Sequence, residues 1–145
     1  MLGPFRVLLT LLVLTAICAR DASAQDWLNV RLNDDTTNQL QNEEQVVVNP
    51  ANPSNLVAVW RDFRLGYRQV GWAYTLDGGR TWTHPGLFDD PYYARDSDPA
   101  LTVNADGDFF AVLLGYTGNT SEENGLLCYR SQDQGQSWEF RGFPV

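Results

Sequence analysis

One short pattern occurs twice in this sequence, and no other feature limits the fold so strongly. Thr75-Leu76-Asp77-Gly78-Gly79-Arg80-Thr81-Trp82 returns as Ser131-Gln132-Asp133-Gln134-Gly135-Gln136-Ser137-Trp138. Each copy reads hydroxyl, any, Asp, any, Gly, any, hydroxyl, Trp. The chemistry is that of a tight turn between two strands. Asp77 and Asp133 are suited to accept hydrogen bonds from N–H groups just ahead, and Gly79 and Gly135 reach positive φ without a Cβ clash. Thr81 and Ser137 start the return strand. Trp82 and Trp138 add a large apolar face whose indole N–H needs a carbonyl.

The flanking sequence repeats in the same register. Asp77 and Asp133 are 56 residues apart, and Asn49 and Asn104 are 55 apart. In the first unit, residues 45–49, 56–60 and 70–75 read as strands, with a Pro/Asn turn over 50–55. The third strand puts Gly71, Ala73 and Thr75 on one face and Trp72 and Tyr74 on the other. The corner then returns the chain into a fourth strand near 81–83. The second unit reads as strands over 100–104, 109–114, 126–131 and 138–143, with Asp106-Gly107 replacing the longer turn. Val48-Asn49 matches Val103-Asn104, and Ala58-Val59 matches Ala111-Val112. The fold class is therefore all-β, built from two units of four short antiparallel strands.

The aspartate corner resembles the Asp-box, also called the BNR repeat, of the sialidase-like β-propellers, and both copies meet all five defining positions. The resemblance implies a propeller fragment of about two four-stranded antiparallel blades, residues 45–88 and 89–145. It further implies that an N-terminal strand at 27–33, in the polar segment 25–44, closes the ring. By the same resemblance the corner residues Thr75, Asp77, Gly79, Thr81 and Trp82, with Ser131, Asp133, Gly135, Ser137 and Trp138, are a folding device away from the substrate. A closed ring takes roughly four to eight blades, so the remaining blades of a longer chain are the expected partners of this one.

Residues 1–24 read as a secretory signal peptide. Arg6 precedes an apolar run over 7–19, and Ala22-Ser23-Ala24 supplies small residues for cleavage near Ala24. This run is too short and wrongly flanked for a transmembrane helix, which implies a secreted or periplasmic protein. Cleavage removes two of the ten arginines and one of the 18 acids, leaving a net charge near −9 with no lysine. Such an acidic chain should repel nucleic acid and anionic membranes. Its remaining cysteine, Cys128, has no intramolecular partner and lies between apolar neighbours, as a small buried hydrophobe would.

Two charged loops carry the candidate site. The first contains Arg61, Asp62, Arg64 and Arg68. In sialidases, the resemblance implies, three arginines hold the sialate carboxylate, an Asp is the acid/base, and a Tyr activated by a Glu is the nucleophile; a planar carboxylate suits guanidinium forks. The first of those arginines has no counterpart here, since Glu44-Gln45-Val46-Val47 stands in its place and the second unit has Ser97. Arg64 is the best match to the second, with Arg61 the alternate, and Asp62 is the only nearby acid. The second loop, 88–98, offers Tyr92, Tyr93 and Arg95 among four aspartates, able to stack on a sugar ring and bond its hydroxyls. The first loop also reads as a solvated loop with internal Arg–Asp pairs, and the second as an interblade linker with exposed aromatics.

Residues 104–108 read as a hairpin turn rather than a calcium loop, because the Gly falls too early and Gly115 takes the place of the closing Glu. His84 has no second His or Cys nearby. No metal and no cofactor is implied. Asn119-Thr120-Ser121 is a glycosylation sequon. The sequence thus points to a secreted glycan-active protein, an exo-sialidase or related glycosidase when full length. The alternative is a non-catalytic module that binds carbohydrate or protein.

Overall fold

The computed structural model describes residues 29–118, 120 and 123–143. All the regular structure among them is strand: β1 Gln41–Val48, β2 Leu56–Asp62, β3 Gln69–Thr75, β4 Thr83–Leu87, β5 Arg95–Val103, β6 Phe109–Tyr116, β7 Asn124–Ser131 and β8 Glu139–Gly142. They form two four-stranded antiparallel sheets, each a simple meander, in the orders β1-β2-β3-β4 and β5-β6-β7-β8. The all-β expectation and the two four-strand units stand. Residues 1–24 and Trp27 lie outside the described residues, as do Asn119 and Ser121 of the sequon. The described part of the expected closing strand, 29–33, forms no strand.

Strand limits differ from the sequence reading where polar side chains extend the ladder. β1 starts at Gln41 rather than 45, because Gln41 pairs with Asp62 and Asn42 with Arg61. Their side chains reinforce the pairing: Gln41 Nε2 donates to Asp62 Oδ1 at 3.0 Å and Arg61 Nε to Asn42 Oδ1 at 2.8 Å. β5 likewise starts at Arg95, so only the first part of the expected loop 88–98 is a loop. β4 begins at Thr83, the last residue of the expected 81–83, and runs on to Leu87, because Thr81 is still engaged in the corner.

Each corner is held by its aspartate. Asp77 accepts the Thr81 N–H at 2.9 Å, the Thr81 hydroxyl at 2.7 Å and the Thr75 hydroxyl at 2.7 Å. Asp133 repeats this with Ser137 N–H, Ser137 hydroxyl and Ser131 hydroxyl at 2.9, 2.6 and 2.8 Å. The Thr81 N–H first, then the two hydroxyls, hold the Asp77 carboxyl far below the usual carboxylate range. Gly79 and Gly135 sit at φ 90° and 88° and donate their N–H groups to Thr75 Oγ1 and Ser131 Oγ.

The two corners differ in their surroundings. A Cβ at Gly79 would meet only Trp82, at 3.8 Å, whereas a Cβ at Gly135 would overlap Val57 Cγ2 and crowd Tyr74. The second corner is therefore seated against the first sheet. Asn55, fully buried, donates to Thr75 O at 3.1 Å and to Gln134 O at 2.9 Å, and Trp72 Nε1 donates to Gly135 O at 3.0 Å. The bonds to Gln134 and Gly135 link the sheets.

Between the sheets lies one apolar core: Val59, Val70 and Phe88 from the first unit meet Ala111, Leu113, Leu127 and Tyr129 from the second. Phe88 is its centre, with ring centroids 5.0 Å from Trp72, 5.0 Å from Tyr129 and 5.1 Å from Trp138. β2 is buried on both faces from Val57 to Trp60, so it reads as a continuous apolar run, while β6 alternates. Cys128 faces away from this core and is half-buried, not enclosed as expected.

Because Gly79 and Gly135 share φ but not neighbours, Gly→Ala at the two sites should cost different amounts. We expect Gly135→Ala to destabilise the protein by about 1–3 kcal/mol more than Gly79→Ala, the overpacking increment. Chemical denaturation of the two variants checks this, and equal losses would refute the seating.

Candidate functional site

In an antiparallel meander, the first and third turns lie at one end and the second at the other. The corners and the 49–55 turn therefore share one end, as the 2.8 Å bond from Gly78 N to Ser54 O confirms. The β2–β3 turn, the connection into β5 and the end of β6 share the opposite end. There a cavity of about 400 Å³ opens between the sheets, lined by Arg61 and Arg68 of the first and by Ser97, Asp98, Leu114 and Tyr116 of the second, with Gly118 and Asn124.

Arg61 enters from β2. Its Nη1 lies 2.6 Å from Glu43 Oε1 and donates to Ser97 Oγ at 3.2 Å, and Asp98 Oδ1 is 3.8 Å away. Arg68 comes from the turn before β3, donates to the Tyr116 hydroxyl at 3.0 Å and lies 5.9 Å from the centre of that ring. Among the described residues Arg68 makes no ion pair, so it is the cation with charge to offer a ligand.

Glu43 and Asp98 are the acids of the site, and the sequence reading did not single them out. Each interrupts its strand at a bulge, Asn42 to Gln45 in β1 and Ser97 to Ala100 in β5, and each has positive φ, 59° and 49°. Non-glycine residues in that region mark a locally imposed backbone. The 55-residue offset that aligns Asn49 with Asn104 also aligns 43 with 98, so the repeat contained the signal. The Asp98 N–H donates to Glu43 Oε2 at 3.2 Å. Burial first, then the hydrogen bond and charge of Asp98, push the Glu43 carboxyl up against the opposing pull of Arg61.

The other sequence candidates are committed elsewhere. Asp62 is fully buried and accepts from Trp60 Nε1, Arg64 N, Arg64 Nε and Arg64 Nη2 at 2.8–3.0 Å. Burial opposes its charge, but the Arg64 bonds prevail and keep it ionised. The remaining guanidinium nitrogen, Arg64 Nη1, takes Asp34 at 2.7 Å. Arg64 and Asp62 thus form a closed fork beneath the turn rather than an open grip, and Asp62 lacks the solvent access an acid/base needs. Arg95 donates to Thr117 O at 2.9 Å and supports the turn after β6. Tyr93 packs over Gly115 and Gly125, where any Cβ would collide with its ring. Tyr92 is exposed on an outer cluster, 5.3 Å from Phe140 and 5.1 Å from Phe143. The structure brings together Arg61 and Arg68 of the expected set, not Arg64, Arg95, Tyr92 or Tyr93.

No protein-family model matches the sequence, and no curated protein matches it. Function has to be argued from the site itself. Among the described residues, no group of three or more His, Cys, Asp or Glu is arranged to hold a metal ion, and no helix is long and apolar enough to cross a membrane. His84 is held by Trp72 O at 2.6 Å and stacks on Trp60 at 5.2 Å, a packing role.

Behind the cavity, Asp96 is fully buried, and neither of its carboxyl oxygens has a donor among the described groups. Burial, then the shared hydrogen bond and charge of Asp90, push it up to about 8. Asp96 holds its proton at neutral pH. Asp96 ionises near its ordinary value once unfolded, so its contribution is fully present below about pH 4 and is lost as pH rises to about 8. We expect thermal stability to fall by roughly a few kcal/mol across that window. In Asp96→Asn, most of that fall should vanish. Melting curves from pH 4 to pH 8 test this, and an unchanged slope in the variant would refute it.

Proposed function

We propose that this chain is part of a secreted, sialidase-like Asp-box propeller that binds an acidic glycan at the end opposite its two corners. The observation that carries this reading is Arg68, a half-buried guanidinium in a polar cavity with no acid paired to it among the described residues. A ligand carboxylate there gains a charge-assisted bond. Ser97, Asp98 and the Tyr116 hydroxyl supply donors and acceptors for the hydroxyls of the same ligand. Arg61 contributes shape more than charge, since Glu43 already neutralises it. The two matched corners, with their sheets lying side by side, support the propeller reading. The apolar run at 7–19 before Ala22-Ser23-Ala24 supports secretion.

Binding without catalysis is the better-supported form, because Arg64 and Asp62 are occupied by one another. One observation favours a hydrolase: burial and the neighbouring Asp98 shift the Glu43 carboxyl upward, the direction a general acid needs, although Arg61 opposes the shift.

The experiment compares sialyllactose with lactose on the full chain by calorimetry. Arg68→Ala should weaken sialyllactose binding by about tenfold or more, the worth of one charge-assisted bond, and leave lactose unchanged. Equal affinity of the two ligands for the unmodified protein would refute the acidic-glycan reading. Turnover of a fluorogenic sialoside that disappears in Glu43→Gln would establish the hydrolase instead.

A further inference from the structure

The polar cavity carries charge of both signs, one on each sheet. Arg68, from the first sheet, has no acid paired with it among the described residues. Asp98, from the second, lines the same cavity with its side chain 57% exposed. Arg68 is half-buried, so a ligand in the cavity reaches both groups.

Asp98 is compensated only in part. Its Oδ1 accepts the Ser97 hydroxyl at 2.9 Å, and its only cationic partner among the described residues, Arg61 Nη1, is 3.8 Å away. That same nitrogen lies 2.6 Å from Glu43 Oε1. Two carboxylates thus share one guanidinium, and the surplus negative charge rests on Asp98, the more exposed and the more distant of the two. Glu43 feels that surplus: burial first, and then the hydrogen bond and charge of Asp98, push its carboxyl up. Arg68 is raised first by its Tyr116 bond, and Asp98 and Glu43 add to that through space, so the two walls lie within electrostatic range of each other.

We infer that the ligand of this cavity is a zwitterionic sugar, one that carries an ammonium group as well as a carboxylate, with the carboxylate on Arg68 and the ammonium on Asp98. The inference rests on the acidic-glycan reading of this cavity and narrows it. A simple anion neutralises Arg68 but leaves the Asp98 carboxylate unanswered beside it, in a chain whose net charge is −8. An ammonium removes that repulsion and adds charge-assisted N–H···O bonds. A simple cation is mismatched in the opposite sense, against Arg68. The cavity, of about 400 Å³, has room for one sugar residue, so both charges belong on the same ring.

The test is calorimetry on the full chain with two ligands that differ only at one nitrogen: the methyl α-glycoside of neuraminic acid, whose amine is free, and that of N-acetylneuraminic acid, whose nitrogen is a neutral amide. At about pH 6 the amine is protonated, and it should bind about tenfold more tightly than the amide. Asp98→Asn keeps a residue type that tolerates the φ of 49° at this bulge and should bring that ratio close to one. Arg68→Ala should weaken both ligands and preserve the ratio. A ratio near one in the unmodified protein, with sialyllactose still preferred to lactose, would overturn the zwitterion and leave the acidic-glycan reading standing. A tenfold ratio that survives Asp98→Asn would overturn the role of Asp98. Amine binding that Arg68→Ala does not weaken, or binding of neither glycoside at about 100 mM, would overturn both readings.

Discussion

Asn55 and Trp72 each place a side-chain donor on a carbonyl of the second corner, at Gln134 and Gly135. Those two bonds, with Val57 pressed where a side chain at 135 would stand, set how the second sheet meets the first. The core follows from that seating. Phe88 is carried between Trp72 and Trp138 only because β4 ends against the sheet that the corner anchors. Burying a ring of this kind contributes about 1.5–3 kcal/mol by transfer alone, and its three aromatic neighbours fix its orientation as well.

The opposite end of the sheets is shaped by charge. Four arginines enter the region, and three of them are spent on holding the protein together: Arg64 on Asp62 and Asp34, Arg61 on Glu43, Arg95 on a backbone carbonyl. Arg95 and Arg68 both have neutral partners, a carbonyl and the Tyr116 hydroxyl, but of the two only Arg68 lines the cavity, where its charge faces a ligand. Buried acids lie close by. Asp62 is compensated by a guanidinium and several N–H donors and stays charged, while Asp96 has only Asp90 and keeps a proton. Two fully buried aspartates thus reach opposite protonation states, because burial disfavours charge wherever donors do not answer it.

Much of the fold was legible in the chain. The corner pattern predicted that Asp77 accepts from the N–H groups just ahead of it, because that bond is local and needs no tertiary partner; the Thr75 and Thr81 hydroxyls that also donate to Asp77 were not foreseen. The alternation and apolar runs placed the eight strands in the right order, with a ninth expected at 27–33 whose described part forms no strand. Their limits were less legible where Gln41, Asn42, Arg95 and Asp96 enter strands, because polar residues there pair across the sheet rather than by their own propensity. The site was half legible. Arg61 and Arg68 were named, but Arg64 was preferred on motif position, and sequence position does not show that Asp62 and Asp34 already hold it. Glu43 and Asp98 were hidden in plain repeat register.

The sequence alone determined two antiparallel units, their turns and their shared register, because those depend on interactions within a few residues or between adjacent strands. Only the tertiary structure decided which arginine keeps its charge available and which aspartate keeps its proton. Those outcomes depend on competition among groups from both sheets for the same carbonyls and carboxylates, and that competition begins only when the sheets dock.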